Sequence, residues 1–164
     1  MNPESLQERY APHSVCFGCG PDNEDGLRIR SVVEGDDVVA RWTPRPYHHA
    51  FGEFLSGGII STVLDCHSNW TGAYSLMVET GGEAPPATVT ASIFVEFLKP
   101  TPIAQLLLEA RSKEVSGRKV VVESTLKAGG AVTATLRGTF VAVGADHPAA
   151  RRWLGDGDRA QGRT

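Results

Sequence analysis

Ser56-Gly57-Gly58-Ile59-Ile60-Ser61-Thr62-Val63-Leu64-Asp65-Cys66-His67-Ser68-Asn69-Trp70-Thr71-Gly72-Ala73-Tyr74 reads as the start and body of one long helix. Apolar residues recur at 59, 60, 63, 64, 70, 74, 77 and 78, the three-and-four spacing of an amphipathic helix. Gly58, Thr62, Asp65, Asn69 and Gly72 fall on a different face, which reads as small and polar. Ser56 is placed to act as N-cap, and two glycines follow where backbone N–H groups have no helical partner. Bare amides at a helix start form an anion site. The stretch therefore offers a donor tip and, two turns on, a carboxylate off the apolar arc.

On its N-terminal side, Pro44 to Leu55 is a loop with two prolines, Tyr47, His48, His49 and Phe51, and it leads straight into the helix tip. That position makes His48 and His49 candidate ligand contacts. Before it, Leu27–Glu34 and Asp37–Thr43 alternate around Gly35-Asp36 and predict a hairpin. Cys16-Phe17-Gly18-Cys19 has metal-knuckle spacing. A closed structural zinc site takes four ligands, however, and the third cysteine, Cys66, falls inside the helix while His13 is too little to complete a set. The segment reads as a tight turn with packed thiols and no metal. Residues 1–15 read as a loose arm with a helical turn near Glu4–Tyr10.

On the C-terminal side, Thr80-Gly81-Gly82-Glu83-Ala84-Pro85-Pro86 ends the helix near Glu79. Thr88–Leu98 alternates, with Val89, Ala91, Ile93, Val95 and Phe97 expected on one face and Thr90, Ser92 and Glu96 on the other. Ile103–Val115, Lys119–Lys127 and Ala131–Val143, with Ser116-Gly117 and Gly129-Gly130 as turns, read as an antiparallel meander. Two strands, one helix and four more strands predict an α+β fold in which an antiparallel sheet wraps a single central helix. Three domain segments follow: an arm over 1–15, a folded unit over 16–143 and a charged, glycine-rich tail over 144–164.

The net charge of −3 and the lack of a basic cluster give no reason to expect nucleic acid as a partner. No apolar run reaches the length of a membrane span and no signal-peptide pattern opens the chain, so a cytoplasmic protein without a membrane partner is expected. The odd cysteine count argues against a disulfide framework.

The chain resembles the PaaI-like branch of the hotdog-fold thioesterases. The resemblance rests on Cys16-Phe17-Gly18-Cys19-Gly20 followed by Asn23 and Gly26-Leu27. It continues through the loop from His48-His49 into Ser56-Gly57-Gly58, Asp65 eight positions after Gly57, and a strand from Thr90 to Phe97-Leu98-Lys99-Pro100. It implies a hotdog fold and hydrolysis of an acyl-CoA thioester, with coenzyme A as part of the substrate and no separate cofactor. It gives Asp65 the part of general base or nucleophile, the Gly57 or Gly58 amide that of oxyanion donor, and Thr90 that of holding the attacking water. Two positions depart from the family pattern. Ser56 replaces a His, and Ala50 stands where some relatives place an Asn that polarises the carbonyl, which leaves a side chain such as His48 or His49, or water, to substitute.

Ser56 and Asn69 are further candidates for substrate contact, as are Lys99, Arg118 and Lys119 for the phosphates. Phe51, Phe54, Trp70 and Tyr74 are candidates for an aromatic pocket. His67 falls with the apolar arc and reads as a core histidine. Two other functions stay open: a non-catalytic acyl-CoA binder, and a hydratase or dehydratase, although Ser56 removes the most obvious catalytic His. Gly57 and Asp65 lie about 12 Å apart along one helix, too far to act on one carbonyl. A homodimer with shared active sites is therefore expected, with a dimer of dimers also open.

Overall fold

A computed structural model describes residues 3–151. The long helix, α2 (Gly57–Thr80), follows a short one, α1 (Leu6–Tyr10). The strands are β1 (Val32–Glu34), β2 (Asp37–Trp42), β3 (His49–Phe51), β4 (Phe54–Leu55), β5 (Thr88–Phe97), β6 (Leu106–Ser116), β7 (Lys119–Ala128) and β8 (Ala131–Ala142). Six of them form one sheet in the order β1-β2-β6-β7-β8-β5, antiparallel at every pairing. β3 and β4 form a separate two-stranded ribbon. Among the described residues, β5 is an edge strand bonded to β8 alone.

Helix α2 lies against the sheet as the sequence predicts. Ile60, Val63, Leu64, Trp70, Ala73 and Leu76 are buried over Leu106, Leu108, Val120, Val122, Leu126 and Phe140. The helix ends at Gly81, whose φ of 65° is the left-handed cap that glycine adopts without strain. The opposite face of the sheet carries ion pairs such as Lys113–Glu123 and Arg111–Asp37 and faces water.

Several expectations need correction. Ser56 occupies the N-cap position, but its side chain makes no capping hydrogen bond. Only Val32–Glu34 of the predicted Leu27–Glu34 strand is a strand. The amides of Leu27 and Ile29 donate instead to Phe17 O and Gly18 O at 2.7 and 3.1 Å, so this segment pairs with the cysteine loop.

The N-terminal segment is also not a loose arm. Ser5 and Glu8 close a capping box on α1, and Leu6, Gln7 and Ala11 are buried. The Gln7 amide nitrogen donates to Ser31 Oγ at 3.0 Å. Ser31 Oγ lies 2.9 Å from His67 Nδ1, and His67 Nε2 lies 3.1 Å from Val38 O. A carbonyl only accepts, so Nε2 carries the proton and Nδ1 accepts from Ser31. Burial lowers the His67 pKa to about 4 and keeps the ring neutral. His67 is thus the core histidine its spacing predicts. Of the tail, Ala150 is buried beside a short 3-10 turn, and 152–164 lie outside the described residues.

The face assignment on β5 is reversed for part of the strand. Thr90 pairs with Phe140 and Ser92 with Thr139, which leaves Ala91 as a bulge. Thr88 and Thr90 therefore share the helix-facing side with Ile93, Val95 and Phe97, whose partners are Gly138, Leu136 and Ala134. A bulge that re-aims a side chain is a recurrent device beside active sites.

Candidate active site

That reversal completes the first half of the site. Thr90 Oγ1 donates to Asp65 Oδ1 at 2.8 Å, from edge strand to central helix. One turn further along α2, Asn69 is buried, and its Oδ1 accepts from Thr88 Oγ1 at 2.6 Å. Asn69 Nδ2 reaches Thr90 Oγ1 and Thr88 O at 3.4 and 3.5 Å. Asn69, predicted as a substrate contact, instead fixes the two threonines from below. Asp65 itself is half-buried and so keeps access to the cleft.

The second half of the site lies at the tip of α2. Gly57 opens on a cavity of about 350 Å³ lined by Phe51, Phe54, Ile60, Phe97 and Lys99 among others. A Cβ built on Gly57 would stand 3.4 Å from the Phe97 ring, an ordinary contact that sets the helix tip against the end of β5. Gly58 is exposed beside it. Phe51 and Phe54 thus meet the expectation of an aromatic lining. Trp70 does not, since it is buried and its Nε1 donates to Cys19 Sγ at 3.4 Å, and Tyr74 lines a different cavity.

The two histidines lie on the loop that supports the tip. The amide of Ser56 donates to His48 O at 3.0 Å, and the His48 ring stacks on Trp42 at 5.6 Å. Its Nδ1 accepts from Arg45 N at 3.1 Å. Burial first, and then the Arg45 charge, push the His48 pKa down. His48 is held as a neutral structural ring, whereas His49 is exposed on β3. Lys99 borders the aromatic cavity, but Arg118 and Lys119 do not approach it. They sit by the β7 end that pairs with Val141, whereas Lys99 follows Phe97 at the opposite end of the sheet.

Asp65 and Gly57 remain eight residues apart on one helix, about 12 Å of rise. Asp65 meets β5 at Thr90 and Gly57 meets it at Phe97, so α2 runs antiparallel to the edge strand with the two halves of the site at its two ends.

The thiols show a feature that ligand counting missed. Cys66, although helical, meets the turn of Cys16 and Cys19, and the three sulfurs all lie within 4.8 Å of one another. Gly18 allows the approach, since a Cβ there would stand 2.4 Å from Cys66 Sγ. The small face read from the sequence is also not one surface. Thr62 packs near Gly18, Asn69 faces β5, and Gly72 packs against Val120 and Phe140.

Comparison with solved structures places the chain. It is 34% identical to a thioesterase superfamily protein from Shewanella loihica, over 71% of this chain and 91% of that one, with a TM-score of 0.58. The E. coli PaaI protein from the phenylacetic acid degradation operon shares the fold at 16% identity, covering 72% and 81% of the two chains with a TM-score of 0.61. A thioesterase from Haemophilus influenzae does so at 15% identity, covering 74% and 82%, with a TM-score of 0.64. No family model and no curated protein matches the sequence. The chain belongs to the thioesterase superfamily, and its fold is the hotdog fold of one long helix against an antiparallel sheet. Among the described residues, no helix is long and apolar enough to cross a membrane.

Proposed function

We propose that the protein hydrolyses an acyl-CoA thioester to a carboxylate and free coenzyme A. The observation that carries this reading is the Thr90–Asp65 hydrogen bond, which a β-bulge and the buried Asn69 both serve. Asp65 acts as general base on water or as nucleophile, and Thr90 Oγ1 orients its carboxylate. Negative charge developing on the carbonyl oxygen meets the Gly57 or Gly58 amide at the positive end of α2. The aromatic cavity beside Gly57 takes the acyl group, and Lys99 at its border is suited to a phosphate.

The two halves come from two chains in this reading. Among the described residues β5 has an open edge, flanked by Phe97 on the helix side and Phe94 on the other face, 55% and 65% exposed, an edge that a second copy would cover. Two such edges pairing antiparallel about an axis near Ile93 and Phe94 set the Phe97 end of one chain beside the Thr90 end of the other. Each Gly57 then approaches the partner subunit's Asp65.

The helical His67 is buried and bonded to Ser31 and Val38, so it offers no imidazole for hydratase chemistry. A panel of acyl-CoAs assayed with a thiol reagent tests the proposal. Release of free CoA by the wild type and loss of release by orders of magnitude in Asp65→Asn are expected. Binding without release would instead make the protein an acyl-CoA binder.

A further inference from the structure

We infer that Cys16, Cys19 and Cys66 form a trithiolate site for one thiophilic d10 cation, with zinc(II) the ion it fits best. A zinc–sulfur bond of about 2.3 Å puts the sulfurs of a tetrahedral or trigonal site roughly 3.8–4.0 Å apart. Cys16 Sγ and Cys66 Sγ already stand 3.9 Å apart, and no pair exceeds 4.8 Å. Closing the site around an ion therefore needs a movement of an ångström at most.

The surroundings are those of a built site. Cys19 and Cys66 are buried at 2% and 6% exposure, while Cys16 is half-buried and marks the open side. Trp70 Nε1 aims its N–H at Cys19 Sγ from the helix, the kind of outer hydrogen bond that stabilises thiolate charge and fixes a ligand's orientation. Gly20 N donates to Cys16 O at 2.8 Å and closes the turn that points both of its sulfurs at α2. Any Cβ at Gly20 would stand 2.4 Å from Cys16 N and Ser14 O, so only glycine permits this turn. Gly18 is equally confined by Cys66.

Charge favours a divalent ion. Each coordinating sulfur gives its proton to solvent, so three thiolates leave a net charge of −1 around zinc(II) and −2 around copper(I). Buried uncompensated charge is costly, and the smaller residue is the better tolerated. Among the described residues no fourth Cys, His, Asp or Glu joins the group, so the fourth position falls to water on the Cys16 side. The site ties the cysteine loop to the helix residue that follows Asp65, and its consequence is a cation-dependent gain in stability.

The test uses the full chain, reduced with a phosphine and stripped of metal. Zinc(II) titrated against a chromophoric chelator should bind at one ion per chain, and cobalt(II) should give sulfur-to-metal charge-transfer absorption with four-coordinate d–d bands. The melting temperature should rise with zinc. Trp70→Phe should weaken zinc about 10- to 100-fold, the usual cost of an outer-shell partner, and Cys16→Ser or Cys66→Ser should weaken it further. Cys16 is the least buried of the three, so Cys16→Ser remains informative if the other variants fail to fold. No stoichiometric zinc or cobalt uptake by the wild type overturns the inference. So does zinc affinity unchanged in Cys16→Ser with its fold verified by circular dichroism, and so does uptake of copper(I) alone.

Discussion

Thr90→Val removes one hydroxyl and keeps the shape of the side chain. Thr90 Oγ1 sits 2.8 Å from Asp65 Oδ1, and a hydrogen bond to a charged group contributes about 1.5–3 kcal/mol. If that bond holds the carboxylate in its reacting orientation, its loss appears in the transition state. At about 1.4 kcal/mol per tenfold in rate, kcat/KM should fall roughly ten- to a hundredfold. Stability should change little. Asn69 Nδ2 loses only a 3.4 Å contact, and Asn69 Oδ1 keeps the 2.6 Å bond from Thr88. Thr88→Val supplies the contrast. It leaves a buried amide oxygen without that donor and should cost about 1–3 kcal/mol in urea unfolding. The assay is CoA release under kcat/KM conditions, with urea unfolding run on the same preparations. Turnover of Thr90→Val within about twofold of wild type, beside an inactive Asp65→Asn, would show that Thr90 is an ordinary strand residue.

Gly72→Ala tests which way that helix face points. Alanine gains about 1 kcal/mol of helix propensity over glycine, but its Cβ would stand 2.7 Å from Val120 Cγ1 in a fully buried contact, and overpacking costs about 1–3 kcal/mol. A net loss of about 1 kcal/mol is expected in urea unfolding, and a net gain would contradict the helix–sheet packing described above. Glu8→Ala opens the capping box of α1 and should cost about 1 kcal/mol at neutral pH. Burial raises the Glu8 pKa, but the Ser5 hydroxyl and amide and the Arg30 charge outweigh it and leave it below the ordinary 4.5. Its contribution is therefore present above that value and lost as pH falls through the native pKa, so wild-type and variant stabilities should converge once the pH lies below the lowered native pKa. A gap that stays constant across that range would mean that the ionised carboxylate is not what holds the cap.

The long helix and the meander were legible because burial on one side writes a period into the sequence. Apolar residues at 59, 60, 63, 64 and 70 and glycine turns at 117 and 129 carried that signal. The β5 bulge was not legible. Ala91 is an ordinary strand residue, and only pairing with β8 reveals that it has no opposite number. That one residue sets Thr90 on the helix side of the sheet, against Asp65, where alternation alone did not put it. The segment 27–31 alternated as a strand does, yet its amides pair with the cysteine loop, because alternation reports burial and not the hydrogen-bond partner. Cys66 and Gly72 share the same lesson. Three tertiary surfaces surround α2, and a two-sided helical wheel cannot separate them.

Whether Gly57 and Asp65 act together across two chains is the most direct question to put to the protein. Gly57 is the first helical residue, where proline is well tolerated, and Ser56 at φ −62°, ψ 134° has the extended conformation that precedes proline. Gly57→Pro therefore removes the amide donor while keeping the helix. Gly57→Pro and Asp65→Asn should each be inactive alone once both are shown to fold and dimerise. Refolded together in equal amounts, half the dimers are mixed and each mixed dimer carries one intact site, so activity should return to roughly a quarter of wild type. Verified mixed dimers that remain inactive would contradict a site shared between two helices.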